Sequence, residues 1–287
     1  MSRGERYHLL TGNERSSMPT VRDVREKAGE EPITMLTAYD APTAAIVDDA
    51  GVDIILVGDS VGNVVLGHET TVPVTVDGIA HHVGAVSRAT EDALVVADMP
   101  FLSFGVDEAE SLENAGRMLK EEDAQAVKLE SGPHTVELTE KMVQLGIPVM
   151  AHLGLTPQHV NQYGGYPRQG TDQAAAEQML ELARAHEEAG AFSLVLEHVP
   201  SNVAAEITDA LEIPTIGIGA GPDCDGQVLV FDDAVGISEW TPSFSEQFGN
   251  VRAEMESAVD DYVDAVESGA FPAEEHSHEQ SDLEDLY

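Results

Sequence analysis

Several short apolar runs in this sequence each end in a polar or ionisable side chain. The residues found at these ends are Asp59 with Ser60, Asp98, Glu130, His152 and Glu197. The runs have the length and composition of buried parallel strands. In a parallel barrel the carboxyl ends of the strands share one rim, and active sites are built there. The spacing therefore predicts that these side chains meet in one active site.

The acids Asp59, Asp98 and Glu130 follow three successive strands and form a candidate metal site. Carboxylates without a neighbouring cysteine are hard oxygen ligands, and they suit Mg²⁺ because this ion takes few protein oxygens and keeps several waters. Each acid alone could simply cap the helix that follows it. Three acids in step favour a magnesium site over three separate helix caps.

The strand that ends in Glu130 also carries a lysine. Lys128 and Glu130 lie two residues apart, so their side chains point to the same face of the strand. A lysine inside a barrel is costly unless it is paired or meets an anion. Lys128 is therefore predicted to bind a substrate carboxylate, and the alternative is a structural ion pair with a neighbouring acid.

Two further candidates, Glu197 and His152, end later strands. Glu197 follows the apolar run 192–196, and burial there would raise its pKa and suit it to proton abstraction. The alternative is a buried acid paired with His198 or another cation. His152 is either a hydrogen-bond partner of the substrate or a structural histidine.

Strand-like runs alternate with helical segments along most of the chain, which is typical of a parallel sheet covered on both faces. About eight such units, without a Gly-x-Gly-x-x-Gly fingerprint after the first strand, predict a single-domain (βα)8 TIM barrel with an N-terminal helix. The eighth strand is predicted at 228–231 and the closing helix at 245–266. The predicted regions are a flexible extension at 1–17, a barrel catalytic domain at 18–270 and a disordered acidic tail at 271–287.

The composition limits the partners of this protein. The 287 residues include 53 Asp and Glu against 14 Lys and Arg, a formal charge of −39. This balance argues against binding nucleic acid or an anionic membrane through a basic patch. Acids spread along the whole chain indicate solubility in high salt, because at low salt such a surface repels itself. The single cysteine, Cys224, excludes an intrachain disulfide, and no run approaches the ~20 apolar residues of a membrane span, so a cytoplasmic location is predicted.

Residues 18–267 contain several short motifs in a specific order: TAYD at 37–40, VGDS at 57–60, ADMPF at 97–101, VKLE at 127–130, AHLGLTPQ at 151–158, LE at 196–197 and IGIGAG at 216–221. Each motif is weak alone, but together and in this order they resemble the ketopantoate hydroxymethyltransferase family. The family fold is a (βα)8 barrel, in agreement with the alternation of strands and helices. The acidic composition adds the expectation of a halophilic archaeal source.

The resemblance implies a reaction and a set of roles. The reaction transfers a hydroxymethyl group from 5,10-methylenetetrahydrofolate, or a related pterin, to 3-methyl-2-oxobutanoate through an enolate stabilised by Mg²⁺. The product, 2-dehydropantoate, lies on the path to pantothenate and coenzyme A. The implied roles are Mg²⁺ ligands (Asp59, Asp98, Glu130), substrate-binding groups (Asp59, Ser60, Asp98, Lys128, His152) and the base (Glu197). A homo-oligomer, a decamer or similar, is also implied.

One alternative reaction class uses the same carboxylates. A magnesium-dependent carbon–carbon lyase or mutase acting on another 2-oxo acid would share them, but it should also carry a reactive cysteine on a mobile loop. Cys224 is the only cysteine, and it follows the seventh predicted strand. That position disfavours the lyase or mutase.

Overall fold

The protein forms a closed barrel of eight parallel strands in the computed structural model, which describes residues 19–278. The strands are β1 (Ile33–Thr37), β2 (Ile54–Val57), β3 (Leu94–Asp98), β4 (Ala126–Glu130), β5 (Val149–Gly154), β6 (Ser193–Glu197), β7 (Thr215–Ile218) and β8 (Gly226–Leu229). Each strand pairs with the next, and β8 pairs with β1 to close the barrel. The predicted TIM barrel is confirmed.

Helices fill most of the connections between these strands. α1 (Val21–Glu26) precedes β1, and the connections up to β7 hold α2 (Ala41–Asp49), α3 (Val61–Val64), α4 (Val76–Ser87), α5 (Glu108–Lys120), α6 (Val136–Gln144), α7 (Val160–Tyr163), α8 (Gln173–Glu188) and α9 (Ser201–Ala210). The connection from β7 to β8, residues 219–225, contains no helix. It is shorter than the dozen or so residues that a parallel crossover usually takes.

The last strand begins earlier than predicted. The prediction of 228–231 was wrong by two residues, because β8 spans Gly226–Leu229. A glycine followed by a glutamine does not have the apolar character of a strand start. Gly226 nevertheless pairs with Ile33 of β1, and a Cβ at this position would overlap the Ile33 carbonyl oxygen. The close approach of two backbones explains the glycine.

The interior of the barrel changes from apolar to charged along its axis. Buried apolar side chains fill the end nearer the strand starts, among them Ile33, Met35, Ile54, Leu56, Leu94, Val96, Ala126, Met150, Val195, Ile216 and Val228. Successive side chains on a strand alternate in direction. The face that carries Val96 therefore carries Asp98, and the face that carries Ala126 carries Lys128 and Glu130. The core strands thus aim the candidate site residues into the barrel.

Beyond Val230 the chain forms a second compact unit. It contains α10 (Phe231–Ala234), α11 (Val251–Glu267) and a 3₁₀ turn at Glu274–His276. No residue of α11 is buried, and five of its exposed apolar side chains lie three or four residues apart along one face: Val251, Met255, Val259, Tyr262 and Val266.

The closing helix also starts at a different residue than predicted. α11 begins at Val251 rather than near residue 245, because the Asn250 side chain accepts a hydrogen bond from the Ala253 N–H and caps the helix there. The predicted extension at 1–17 and residues 279–287 of the predicted tail lie outside the described residues. The three predicted regions stay predictions. No helix within residues 19–278 is long and apolar enough to cross a membrane.

The excess of acidic side chains predicts a fold that salt stabilises. With 53 acids against 14 bases, most carboxylates have no basic partner, so screening by salt should relieve their mutual repulsion. We expect the midpoint of thermal unfolding to rise by roughly 5 °C or more between about 0.1 M and about 2 M KCl, followed by circular dichroism. The same salt step near pH ~4 is the control, because protonated acids need less screening. An unchanged midpoint at neutral pH would contradict the prediction.

Candidate active site

The carboxyl ends of β2 to β6 bring all the predicted site residues to one end of the barrel. Asp59 and Ser60 follow β2 after Gly58, and the other site residues lie within the strands: Asp98 in β3, Lys128 and Glu130 in β4, His152 in β5 and Glu197 in β6. Most of them are buried, whereas Ser60 and Glu197 keep partial access to solvent. The convergence predicted from the strand ends is present, and the role of each residue stays a prediction.

A buried ion pair joins β3 and β4. The Lys128 ammonium donates to both carboxylate oxygens of Asp98, at 2.9 and 2.8 Å, and the two residues are register partners. Burial disfavours the charged amine, but the carboxylates of Asp98, Asp59 and Glu130 outweigh that penalty and raise the pKa of Lys128. Lys128 is therefore a cation, and the ion pair considered as the alternative from the sequence is formed.

Negative charge in this pocket exceeds positive charge. Burial, together with the neighbouring Asp98 and Glu130 carboxylates, raises the pKa of Asp59 to about 8. The Asp59 backbone N–H donates to Asp98 Oδ2 at 3.3 Å. Three acids thus share one lysine. Sites for hard divalent cations have the same excess of negative charge and the same carboxylate oxygen donors. Within residues 19–278, however, no three acidic, histidine or cysteine side chains already form a metal-ligand group.

Gln158, which had no role in the sequence predictions, contacts two of these acids. Its backbone N–H donates to the Glu130 oxygens at 3.0 and 3.3 Å. Its side-chain Nε2 donates to Asp59 Oδ2 at 3.0 Å and to the Met99 carbonyl at 2.9 Å. Gln158 belongs to the 3₁₀ turn Pro157–His159 in the loop after β5.

A tyrosine holds the serine of the site. The Tyr39 hydroxyl lies 2.8 Å from Ser60 Oγ, and Tyr39 is almost fully buried. Nδ1 of His82 on α4 lies 2.6 Å from the Tyr39 carbonyl oxygen. This chain of contacts limits the rotamers open to the Ser60 hydroxyl.

Glu197 and His152 face each other across the ends of β5 and β6. His152 Nε2 lies 3.2 Å from Glu197 Oε2, although the two atoms are not aligned as a hydrogen bond. Burial raises the pKa of Glu197 to about 7, and burial with the Lys128 charge lowers the pKa of His152 to about 4. His152 is thus a neutral imidazole at neutral pH. Among residues 19–278, no lysine or arginine forms an ion pair with Glu197.

The backbone around Glu197 is tightly constrained. Gly154 ends β5 with φ +100°, and a Cβ at this position would overlap the Glu197 carbonyl oxygen. The same carbonyl accepts a hydrogen bond from the Leu155 N–H at 2.8 Å. His198 follows with φ 50°, which is unusual for a residue with a side chain. The position of Glu197 is therefore fixed by main-chain contacts with the neighbouring strand.

The loop after β5 extends over the same pocket. His159 Nδ1 lies 3.5 Å from Glu130 Oε2, and this contact raises the pKa of His159. Burial and the charges of Asp59 and Glu197 raise the pKa of the Tyr166 hydroxyl, so Tyr166 lies close enough to feel both acids.

Cys224 does not have the surroundings of a reactive thiol. It lies shortly before β8, in the connection that leads to the strand starts, and burial raises its pKa. Its sulfur would lie 3.1 Å from a Cβ built on Gly217. The thiol stays protonated and lies at the end of the barrel opposite the candidate site. It is therefore a poor nucleophile for a substrate bound there.

Two of the contacting residues, Gln158 and Tyr39, could not be assigned from the sequence. Both lie within motifs that resemble the family, TAYD at 37–40 and AHLGLTPQ at 151–158. Tyr39 follows β1, and Gln158 lies four residues beyond the end of β5. Their distance from the strand ends, and the uncharged nature of their side chains, gave no chemical signal.

Comparison with known proteins gives one consistent family. A family model for ketopantoate hydroxymethyltransferase matches residues 18–274. The 3-methyl-2-oxobutanoate hydroxymethyltransferase of Halobacterium salinarum is 73% identical over 275 residues, which covers 94% of this chain and 100% of that protein. The protein of the same name from Haloarcula marismortui is 70% identical over 270 residues, again 94% of this chain and 100% of that one. The predicted halophilic archaeal origin agrees with both sources.

Solved structures share the architecture at much lower identity. The 2,3-dimethylmalate lyase, a PEP mutase/isocitrate lyase superfamily member, superimposes with a TM-score of 0.54 at 17% identity, over 88% of this chain and 87% of that one. Such a likeness shows the fold alone. The family model and the archaeal relatives, by contrast, cover nearly the whole chain. This chain belongs to the ketopantoate hydroxymethyltransferase family.

Proposed function

We propose that this protein transfers a hydroxymethyl group from 5,10-methylenetetrahydrofolate, or a related reduced pterin, to 3-methyl-2-oxobutanoate and gives 2-dehydropantoate. The observation that carries this proposal is the pairing, in one pocket, of an acid with a raised pKa and a cluster of carboxylates around one lysine. The first can remove a proton from carbon, and the second can hold a charged 2-oxo acid with a cation.

The substrate carboxylate is assigned to Lys128 and Ser60. An ammonium has three N–H donors, and the Asp98 oxygens take two of them at 2.9 and 2.8 Å. The third remains for an anion. The Ser60 hydroxyl, held by Tyr39 at 2.8 Å, can donate to the same carboxylate. Together the two groups fix one end of the 2-oxo acid.

Mg²⁺ is assigned to Asp59, Asp98 and Glu130. The excess of buried carboxylates over lysines and the raised pKa of Asp59 support a cation at this place. When bound, the ion would supply positive charge beside the keto oxygen as the enolate forms. Asp98 would then balance two cations, the ion and Lys128. Each acid accepts from an N–H or ammonium donor that leaves other lone pairs available.

Glu197 is assigned as the base that removes the proton from C3. Its pKa of about 7 suits a general base at neutral pH, because the best pKa for such a group lies near the working pH. The C3–H bond breaks, the proton moves to the Glu197 carboxylate, and the electron pair forms the enolate. His152, neutral because its pKa is lowered to about 4, can donate a hydrogen bond without contributing a charge. The enolate carbon then bonds to the methylene carbon as one C–N bond to the folate breaks. Water supplies the hydroxyl oxygen as the second C–N bond breaks. The two folate nitrogens take up the proton held by Glu197 and one proton of that water, and the reduced folate leaves.

The reduced folate is assigned to the outer rim. Exposed apolar side chains lie on the loops that follow β2, β3 and β5: Val65, Leu66, Phe101, Leu102, Tyr163 and Tyr166. Those strands carry or precede Asp59, Asp98 and His152. Apolar and aromatic surfaces suit a flat pterin ring. A place in pantothenate and coenzyme A biosynthesis and a homo-oligomeric assembly, a decamer or similar, belong to the same proposal.

Replacement of the base should separate proton abstraction from cation binding. We expect Glu197→Gln to lower the rate of C3 deuterium exchange on 3-methyl-2-oxobutanoate in D₂O by at least about a hundredfold, because an amide cannot accept the proton. Exchange is followed by NMR in molar KCl without folate, with Mg²⁺ or with EDTA. Mg²⁺ binding, measured by calorimetry, should change little.

The matched control is Glu140→Gln on the exposed face of α6, which should exchange at the native rate. Metal-dependent exchange by the native protein would support the enolate step independently of the one-carbon donor. Native-like exchange by Glu197→Gln would exclude this residue as the base. Absence of exchange by the folded native protein would favour a different 2-oxo acid.

The ionisation of Glu197 should govern the pH dependence of exchange. Its pKa is raised to about 7, and only the ionised carboxylate accepts a proton. The rate should therefore fall about tenfold per pH unit below that pKa and level off above it. The measurement is the exchange rate at saturating substrate and Mg²⁺ between about pH 5 and 9. A rate that is flat across this range would show that no group with such a pKa acts as the base.

A further inference from the structure

We propose that Gln158 is a positioning residue for the cation site, holding the carboxylates of Asp59 and Glu130 at a fixed separation and orientation. This inference rests on the proposed assignment of Mg²⁺ to these acids. It adds a residue that ligates nothing itself and acts through the two acids that it contacts.

The contacts of Gln158 join parts of the chain that are far apart in sequence. Its backbone N–H donates to Glu130 of β4, at 3.0 Å to the nearer oxygen. Its side chain donates to Asp59 at the end of β2, at 3.0 Å, and to the carbonyl of Met99 after β3, at 2.9 Å. One residue of the β5 loop is therefore tied to the ends of three other strands.

Chemistry determines the orientation of the Gln158 amide. The Met99 carbonyl can only accept a hydrogen bond, so the amide atom 2.9 Å from it must be the nitrogen, and the same nitrogen lies 3.0 Å from Asp59 Oδ2. The reverse orientation would place the amide oxygen against two other oxygens. The NH₂ group must therefore face both, and its two hydrogens are used. Gln158 is only 5% exposed, so loss of these bonds could not be compensated freely by water.

A neutral donor is the appropriate group at this place. A lysine or arginine would add a positive charge that competes with a cation for the same acids, whereas a carboxylate would add to the repulsion. An amide donates without changing the charge of the pocket. It engages Asp59 Oδ2, so that rotation of the carboxylate would cost a buried hydrogen bond. Partners of metal-ligating groups commonly contribute about 10- to 100-fold to metal affinity.

The test compares Mg²⁺ affinity in the native protein, Gln158→Met and a matched control. Methionine keeps the length of the side chain and removes both donors, while the backbone N–H to Glu130 remains. The control is Gln125→Met. Gln125 Oε1 accepts from the Val95 N–H at 2.7 Å and its Nε2 donates to the Asp123 carbonyl at 2.6 Å, just before β4 begins and away from the site.

Affinity is measured by titrating chelator-treated protein with MgCl₂ in molar KCl by calorimetry. We expect the dissociation constant of Gln158→Met to rise about 10- to 100-fold and that of Gln125→Met to stay within about twofold of the native value. The midpoint of thermal unfolding in EDTA is recorded for all three proteins. A purely structural glutamine would shift that midpoint without a selective change in Mg²⁺ affinity.

The outcomes separate this inference from the function on which it rests. Native-like Mg²⁺ affinity in folded Gln158→Met would overturn the inference and leave the cation site intact. No Mg²⁺ binding by the native protein would overturn the cation site and the inference with it. If Gln158→Met does not fold, Gln158→Asn replaces it, because its shorter amide cannot span the same partners, and unchanged affinity there would also reject the inference.

Discussion

The site depends on one electrostatic constraint, which is that several buried carboxylates share a single lysine. Lys128 pairs with Asp98 through both oxygens, yet Asp59 still has its pKa raised to about 8 by burial and by its acidic neighbours. Folding this pocket therefore leaves a charge imbalance that the protein alone does not neutralise. A divalent ion held by these acids would restore the balance. The energetic cost of burying these acids and the capacity of the pocket for chemistry have the same origin.

The barrel places these charges by the alternation of side chains along its strands. The interior positions that bear Val96 and Ala126 are continued by Asp98 and Lys128, so the packed apolar layer supports the charged one from below. Glu197 lies on the other side of the pocket, where burial rather than a charged partner sets its pKa. Acids of one chemical type would thus serve two purposes in the proposed mechanism, because those near Lys128 would hold a cation and Glu197 would accept a proton.

The strand-end residues and the barrel could be predicted because each depends on local pattern. Asp59, Asp98, Glu130 and Glu197 all end apolar runs, and this signal survives without knowledge of tertiary contacts. The start of β8 at Gly226 was missed because its glycine reflects close backbone packing on Ile33, which a sequence does not display. Gln158 was missed for a related reason. Its importance lies in partners 99 and 28 positions away along the chain, and an uncharged side chain in a loop gives no sign of them.

Gly154 has a consequence for attempts to alter what the enzyme accepts. The Glu197 carbonyl occupies the space where any side chain at position 154 would begin, so the proposed base is anchored through the backbone of a neighbouring strand. The backbone of β5 and β6 therefore fixes the position of Glu197, and this residue cannot shift to accommodate a larger or differently shaped substrate. Redesign of substrate scope should therefore leave the β5–β6 edge untouched and vary the opposite wall and the rim loops. Such changes would reposition the substrate relative to Glu197 and leave Glu197 in place.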